Sequence, residues 1–159
     1  MKINMRYLPK ILSKKDKKKQ FNMLLKSRKA YKNGSYYTRK HVSSFQSKKS
    51  PHILKAEKIY KVDKIGATDD LAKATKCSKN SLAKIIKKGE GAYYSSGSRP
   101  NQTPQSWGLA RLASSITGGK AAAVDYYILE DGCKKNSMAL TLAKKAKKKG
   151  TRRAKKISI

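Results

Sequence analysis

The chain has 159 residues, of which 40 are lysine or arginine and 9 are aspartate or glutamate, so its formal net charge is +31. This length fits one small domain with extensions, and no run of 18 apolar residues indicates a membrane-spanning helix. Two histidines and two cysteines, without C-x-x-C spacing, are too few and too scattered for a zinc centre. We expect reduced thiols in a cytosol-like compartment, with Cys77 as a buried thiol, and no metal or cofactor.

The charge divides the chain into three regions. Residues 1–64 carry 20 basic and 3 acidic side chains (net +17), residues 65–133 carry 9 and 6 (net +3), and residues 134–159 carry 11 and none (net +11). We expect a mostly α-helical protein, with a small core over residues 65–133 between extended basic N- and C-terminal arms. Because charges at this density repel one another, the arms are expected to need a partner that holds them.

The N-terminal region is predicted to contain two helices, over residues 13–33 and 51–61, each entered through a capping serine. Between them, residues 31–51 mix tyrosine, serine and lysine without a period. That pattern is typical of an extended or irregular segment that orders on a partner surface.

Further helices are predicted in the middle and C-terminal regions from caps and apolar spacing. Residues 121–130 are compatible with a helix, from the spacing of Ala121, Val124, Tyr127 and Ile128, or with a strand, from their valine, tyrosine and isoleucine content. We favour the helix. The predicted starts and stops are Thr68 to Lys76, Ser78 to Gly89, Thr103-Pro104 to Gly118, and Ser137 to Gly150.

The sequence LAKATKCSKNSLAKII, which begins at Leu71, resembles the helix-turn-helix of bacterial regulators. Ala72 matches the small residue of the first helix, and Leu82 and Ile85 match buried positions of the second. Lys76 departs from the pattern, which prefers glycine for a left-handed turn. A plain helical hairpin in the core explains the same residues. If the element over residues 71–88 reads a DNA groove, its outward side chains are Ser78, Lys79, Asn80, Ser81 and Lys84.

Clusters of lysine and arginine in the two arms predict binding to a polyanion through counterion release. Lysine greatly outnumbers arginine, which suits diffuse attraction better than bidentate recognition. Nucleic acid, an acidic protein surface and an anionic membrane face all fit this pattern. The candidate polyanion-binding residues are Lys14, Lys15, Lys17, Lys18, Lys19, Lys48, Lys49, Lys144, Lys145, Lys147, Lys148, Lys149, Arg152 and Arg153.

One segment is too unusual for composition to explain. It covers residues 88–133 and reads KGEGAYYSSGSRPNQTPQSWGLARLASSITGGKAAAVDYYILEDGC. Together with SRKAYKNGSYYTRKHVSSFQSKKSPHILKAEKIYKV upstream, this segment resembles an uncharacterised protein family of large nucleocytoplasmic DNA viruses, such as chlorella viruses and mimivirus relatives. The similarity runs from about Arg6 to Cys133. The resemblance implies a viral origin and a place in the particle, and it implies no established activity.

Glycines in this segment permit unusual backbone angles and shape a polar loop, which fits a docking surface for a protein partner. The alternative is that its aromatic side chains fill the small core. Tyrosine and phenylalanine of the first arm are further candidates, because they can seat in a protein groove or stack on bases. The docking candidates are Tyr36, Tyr37, Phe45, Tyr93, Tyr94, Arg99 and Trp107.

An enzyme is the class that the sequence favours least, since no nucleophile is patterned beside a base and a small-molecule substrate has no evident site. We expect a non-enzymatic virion structural protein, a minor capsid or cement component on the inner side of the capsid. Its arms would bridge capsid proteins and the anionic internal membrane after a period in the host cytoplasm or nucleus. The alternative is a DNA-binding or genome-condensing viral protein that uses the same arms and residues 71–88.

Overall fold

A computed structural model describes residues 2–150 and 156–158 of the chain. This part of the molecule is mostly α-helical, as predicted, with two short strands and one turn of 3-10 helix at Met5–Tyr7. The strands are β1 (Lys2–Asn4) and β2 (Lys156–Ser158). The helices are α1 (Lys14–Lys32), α2 (Pro51–Tyr60), α3 (Asp69–Thr75), α4 (Lys79–Ser95), α5 (Pro104–Ile116), α6 (Lys120–Val124), α7 (Tyr126–Gly132) and α8 (Met138–Lys149).

Most helices begin where a capping side chain predicts. Ser13 accepts a hydrogen bond from the backbone N–H of Asp16 at 3.1 Å, and Thr68 and Ser137 make the equivalent bonds three residues on. Such a bond satisfies one of the donors that the first turn of a helix leaves without a partner. The predicted starts of α1, α2, α3, α5 and α8 are therefore confirmed.

Two predicted boundaries were wrong. Helix α4 does not stop at Gly89 but continues to Ser95, and residues 121–130 form two helices separated at Asp125 rather than one. A Cβ at residue 89 would lie 2.6 Å from the Cα of Gly108 in α5. The absence of a side chain at Gly89 thus serves close helix packing. Unusual backbone angles were expected at the glycines of this segment, and Gly97 has one, with φ +131°.

The described chain divides into two compact units whose boundaries differ from the charge regions. The first, here called the N-terminal unit, contains residues 2–48, Glu90–Trp107 and β2. Strands β1 and β2 pair antiparallel, with Ile3 opposite Ile157. Two small apolar clusters form its interior, one of Ile3, Leu8 and Leu24 and the other of Leu12, Met23 and Val42.

The expectation that a partner must hold the segment over residues 31–51 was wrong. After α1 this segment has no helix or strand until α2, as predicted, but side chains of the same unit bind it. The amide of Asn101 accepts from the Val42 N–H at 2.8 Å and donates to the Val42 and Phe45 carbonyls at 3.1 and 2.7 Å. Asp16 accepts from the Ser44 N–H at 2.8 Å. The unit therefore supplies the backbone partners that an isolated arm would lack.

The second unit, here called the C-terminal unit, contains residues 49–89 and 108–150 of the described chain. It has one continuous apolar core to which α2, α3, α4, α5, α6, α7 and α8 all contribute. Leu71, Leu82, Ile85, Leu112 and Ile116 are fully buried there, which confirms the predicted inner faces of α3, α4 and α5. Because these apolar positions recur at helical spacing, they form a stripe that burial in a core stabilises.

The two cysteines form a disulfide in the C-terminal unit, so the expectation of reduced thiols was wrong. The turn before α4 runs antiparallel to the residues after α7: the Ser78 N–H donates to the Gly132 carbonyl and the Lys134 N–H to the Lys76 carbonyl, both at 2.9 Å. Cys77 and Cys133 thus form the non-hydrogen-bonded pair between these bonds, where facing side chains lie closest. Their separation of 56 residues left no spacing signal for the pairing.

Candidate nucleic-acid interface

The described residues contain no group of three or more histidine, cysteine, aspartate or glutamate side chains placed to hold a metal ion. No helix in this part of the chain is long and apolar enough to cross a membrane. The candidate site is built from the basic and aromatic side chains of the helices and of the segment after α1.

Helix α1 separates its charges from its buried face. The side chains buried along it are Gln20, Met23, Leu24, Ser27 and its one acid, Asp16. The carboxylate of Asp16 faces the following segment, where hydrogen bonds from Ser44 hold its pKa below the usual range. The lysines that precede and follow Asp16 are all exposed: Lys14, Lys15, Lys17, Lys18 and Lys19.

Helix α8 repeats this arrangement without any acid. Ala139, Leu140 and Ala143 are buried against the C-terminal unit's core, and the outer half of the helix is lysine except for Ala146. A surface groove of about 400 Å³ lies between α7 and α8 and is lined by Tyr126, Lys144, Lys147 and Lys148. The Lys147 ammonium stands 4.4 Å from the centre of the Tyr126 ring, a cation–π contact. The five predicted lysines of this helix are all exposed: Lys144, Lys145, Lys147, Lys148 and Lys149.

Helices α3 and α4 enclose a short turn, as the resemblance to a helix-turn-helix predicts. Lys76 adopts the left-handed conformation (φ +59°, ψ +32°) that the pattern assigns to glycine. A residue with a Cβ costs about 1–2 kcal/mol in that conformation. Lys76 therefore differs from the helix-turn-helix pattern in residue type, but its backbone has the conformation that the pattern requires.

Four of the five residues predicted to face outward from this element are exposed. Ser78, Lys79, Asn80 and Lys84 are exposed, whereas Ser81 is 4 % exposed and packs against Gly132. The assignment of Ser81 to this face was wrong because Gly132, at the end of α7, covers it. Lys79 also makes an exposed ion pair with Asp69 at 3.1 Å, so part of its charge is already balanced.

Four predicted polyanion-binding residues lie outside α1 and α8. Lys48 is exposed, but the Lys49 ammonium lies 2.6 Å from the carboxylate of Glu57, so it is a poorer candidate. Arg152 and Arg153 lie outside the described residues.

The seven predicted docking residues differ in how far their side chains are exposed. Tyr93 is fully buried, so its assignment as a docking anchor was wrong. Tyr36 is 72 % exposed and Arg99 is exposed. The other four candidates, Tyr37, Phe45, Tyr94 and Trp107, are half-buried. Trp107 packs edge-on against Tyr7 at 6.1 Å between ring centres.

Tyr93 is buried because it belongs to the support of the C-terminal end of α4. Arg39, which is 8 % exposed, lies 3.8 Å above its ring and donates to its backbone carbonyl at 2.8 Å. Ser27 and Arg28 donate to the carbonyls of Tyr94 and Ser96. Two cations thus bind the negative end of the helix dipole, which explains a buried arginine whose hydrogen-bond partners are neutral.

Sequence reasoning did not identify Arg39, because an arginine in an irregular segment looks like any surface cation. It also missed Asp125, which is fully buried and binds Arg111, Lys88 and Ser115. Burial alone would raise the pKa of Asp125, but hydrogen bonds and charge from Arg111 and Lys88 hold it below its usual value. Both residues stabilise the fold, since their contacts satisfy buried groups.

A model of a family of unknown function, DUF5824, matches residues 4–135, and the chain belongs to that family. No curated protein and no solved structure matches it.

Proposed function

We propose that this chain is a non-enzymatic nucleic-acid-binding protein, which coats or condenses the genome of a large DNA virus. One observation carries the proposal: all thirteen lysines on α1 and α8 are exposed, while the one acid in these two helices is buried and already hydrogen-bonded. Charges that lack carboxylate neighbours on their own helix are available to phosphates. This arrangement supports a polyanion partner more strongly than net charge alone.

Lysine-rich helices of this kind bind the backbone of nucleic acid and not its bases. Each ammonium that replaces a condensed counterion gains free energy from the release of that ion, whatever the base sequence. Lysine also lacks the planar fork with which arginine recognises guanine. We therefore expect tight binding at low salt with little sequence preference from α1 and α8.

The α3–α4 element adds a second mode of contact. Lys79, Asn80 and Lys84 are exposed from the first turns of α4, the region that enters the major groove in helix-turn-helix proteins. Asn80 is suited to adenine, because its amide both donates and accepts. We propose that this element contributes a weak sequence preference on top of the lysine contacts.

The test is the salt dependence of binding by the full chain to a labelled 30-base-pair duplex. If six or more phosphates are contacted, the affinity falls by about a thousandfold or more between 50 and 200 mM salt. The triple variant Lys144→Ala, Lys145→Ala, Lys147→Ala is expected to reduce the steepness of this dependence. A charge-matched control replaces Lys55, Lys58 and Lys64 by alanine. Binding that is weak at 50 mM salt, or that responds equally to both variants, would contradict the proposed role of α8.

A second candidate function is a minor capsid or cement role on the inner side of the particle. It is favoured by large apolar side chains exposed on the C-terminal unit, on α2, α6, α7 and α8: Leu54, Val124, Tyr127 and Met138, each more than half exposed. Such side chains fit a capsid protein surface, with the anionic internal membrane as a further partner of the lysines. Cross-linking in purified particles tests this role, and cross-links confined to nucleic acid would refute it.

A further inference from the structure

We propose that the exposed end of a row of tyrosines in the N-terminal unit binds unpaired bases of single-stranded nucleic acid. The row consists of Tyr93, Tyr94, Tyr36 and Tyr31, whose successive ring centres lie 5.1, 4.9 and 6.3 Å apart. The inference deepens the proposed function and rests on it for the phosphate contacts. It adds a distinct ligand, since the bases of a duplex are not free to stack on a protein ring.

The row is anchored at its buried end. The Arg39 guanidinium covers one face of the Tyr93 ring at 3.8 Å, and the backbone N–H of Arg39 donates to the Tyr93 hydroxyl at 2.9 Å. Tyr94 packs edge-on against Tyr93, at 90° between ring planes. Two rings are therefore fixed before any ligand arrives, and they position the third.

The row is open at its other end. Tyr36 contacts Tyr94 at 52° between ring planes, yet 72 % of its surface is exposed, and Tyr31 beyond it is 40 % exposed. Large rings seldom stay exposed next to one another unless they bind something, because their burial is favourable. A ring already held by its neighbours loses little side-chain entropy when a base stacks on it.

The charge around the row selects the occupant. The nearest residues in sequence include exposed lysines at positions 29, 32 and 40, and the Lys26 ammonium lies 4.4 Å from the centre of the Tyr37 ring. The acids of this unit's described residues are Asp16, which is buried and bonded, and Glu90. Aromatic rings interleaved with cations and nearly free of carboxylates match a chain of bases joined by phosphates.

The experiment compares a labelled 15-nucleotide oligothymidine with a duplex of equal length, using fluorescence anisotropy of the full chain at 100 mM salt. Tyr36→Ala is expected to weaken oligothymidine binding by about 5- to 150-fold, the range for losing one stacked base. Duplex binding is expected to change less than twofold, and Tyr36→Phe to retain binding. Tyr127→Ala is the matched control, since Tyr127 is 59 % exposed but lies in the C-terminal unit.

The outcomes separate this inference from the proposed function. Duplex binding with steep salt dependence, but equal oligothymidine affinities for Tyr36→Ala and Tyr127→Ala, would overturn the inference alone and leave the tyrosines to a protein partner. Equal weakening of duplex and oligothymidine by Tyr36→Ala would also overturn it. Absence of binding to either nucleic acid by the unmodified chain would overturn both. An unchanged urea midpoint for Tyr31→Ala, with an intermediate loss of oligothymidine affinity, would support the row as one surface.

Discussion

Arg111 binds both carboxylate oxygens of Asp125, from Nε to Oδ2 at 2.9 Å and from Nη2 to Oδ1 at 2.8 Å. Lys88 donates to Oδ1 at 3.0 Å and the Ser115 hydroxyl to Oδ2 at 3.0 Å. Asp125 separates α6 from α7, and its carboxylate is fully buried. Through Lys88 it is bonded to α4, and through Arg111 and Ser115 to α5. Its stabilising role can be tested without reference to function.

Substitution of Asp125 by Asn is expected to destabilise the chain by about 3 kcal/mol, the lower end of the range for breaking a buried ion pair. Asparagine keeps the volume but leaves Arg111 and Lys88 without a carboxylate. The lower end applies because the side chains of both cations retain some exposure, 21 and 35 %. Urea unfolding at pH 7 measures the loss. Asp131→Asn, at an exposed acid, is the control and should change stability little; equal effects would contradict the role of Asp125.

The same carboxylate predicts a loss of stability in acid. Because the folded chain holds the pKa of Asp125 below its unfolded value of about 3.9, its contribution is fully present above that value. It is lost as the pH falls through the folded pKa. The free energy of unfolding should therefore decrease below about pH 4 more steeply in the unmodified chain than in Asp125→Asn. Parallel pH profiles from pH 7 to pH 2 would rule this out.

A buried tyrosine, Tyr60, is expected to make the free energy of unfolding fall at alkaline pH. The Tyr60 hydroxyl donates a hydrogen bond to the Ile116 carbonyl, and burial raises the pKa of Tyr60 to about 12. The unfolded chain ionises this tyrosine near pH 10, so the contribution of Tyr60 is present below pH 10 and is lost between about pH 10 and 12. Tyr60→Phe should cost about 1 kcal/mol at pH 7 and should abolish this part of the alkaline slope. Matched unfolding curves at pH 8, 10 and 11 provide the measurement.

The elements that the sequence predicted well depend on neighbours within one turn. A serine or threonine that caps a helix acts on a backbone N–H two or three residues away, so α1, α2, α3 and α8 could be located from local pattern. The break at Asp125 could not, because its cause is an ion pair with Arg111, 14 residues away, and with Lys88, 37 residues away.

For the candidate site too, features that depend on sequence neighbours could be predicted, and features that depend on distant residues could not. The exposed lysines of α1 and α8 were predictable, since a charged stripe opposite an apolar one faces solvent. The order of the segment after α1 was not, because Asn101 and Tyr93 bind it from 54 to 59 residues away. Ser81 was misassigned for a similar reason, as Gly132 covers it from a distant part of the chain.

The disulfide is expected to contribute much of the stability of the C-terminal unit. It joins residues 56 apart, and restricting an unfolded loop of this length is worth up to about 4 kcal/mol in the chain-entropy model. Reduction should therefore lower the urea midpoint of the unmodified chain. The double variant Cys77→Ser, Cys133→Ser should start from the lower midpoint and should not respond to reductant. Equal midpoints for the oxidised chain and the double variant would show that the bond is energetically neutral.

Two glycines of α4 should respond to alanine with opposite signs. At Gly89 an added Cβ would lie 2.6 Å from the Cα of Gly108 and 3.1 Å from the Cβ of Arg111, so α4 and α5 must move apart. Gly89→Ala is expected to cost about 1–3 kcal/mol, as overpacking does. At Gly91 nothing lies within 4 Å of the added Cβ, and alanine should stabilise the helix by about 0.5–1 kcal/mol. Because the two positions share one helix, their helix propensities are matched and only the contact with α5 differs. Urea unfolding of both variants at pH 7 decides the point, and a stabilising Gly89→Ala would mean that the close approach of α4 and α5 does not need a glycine.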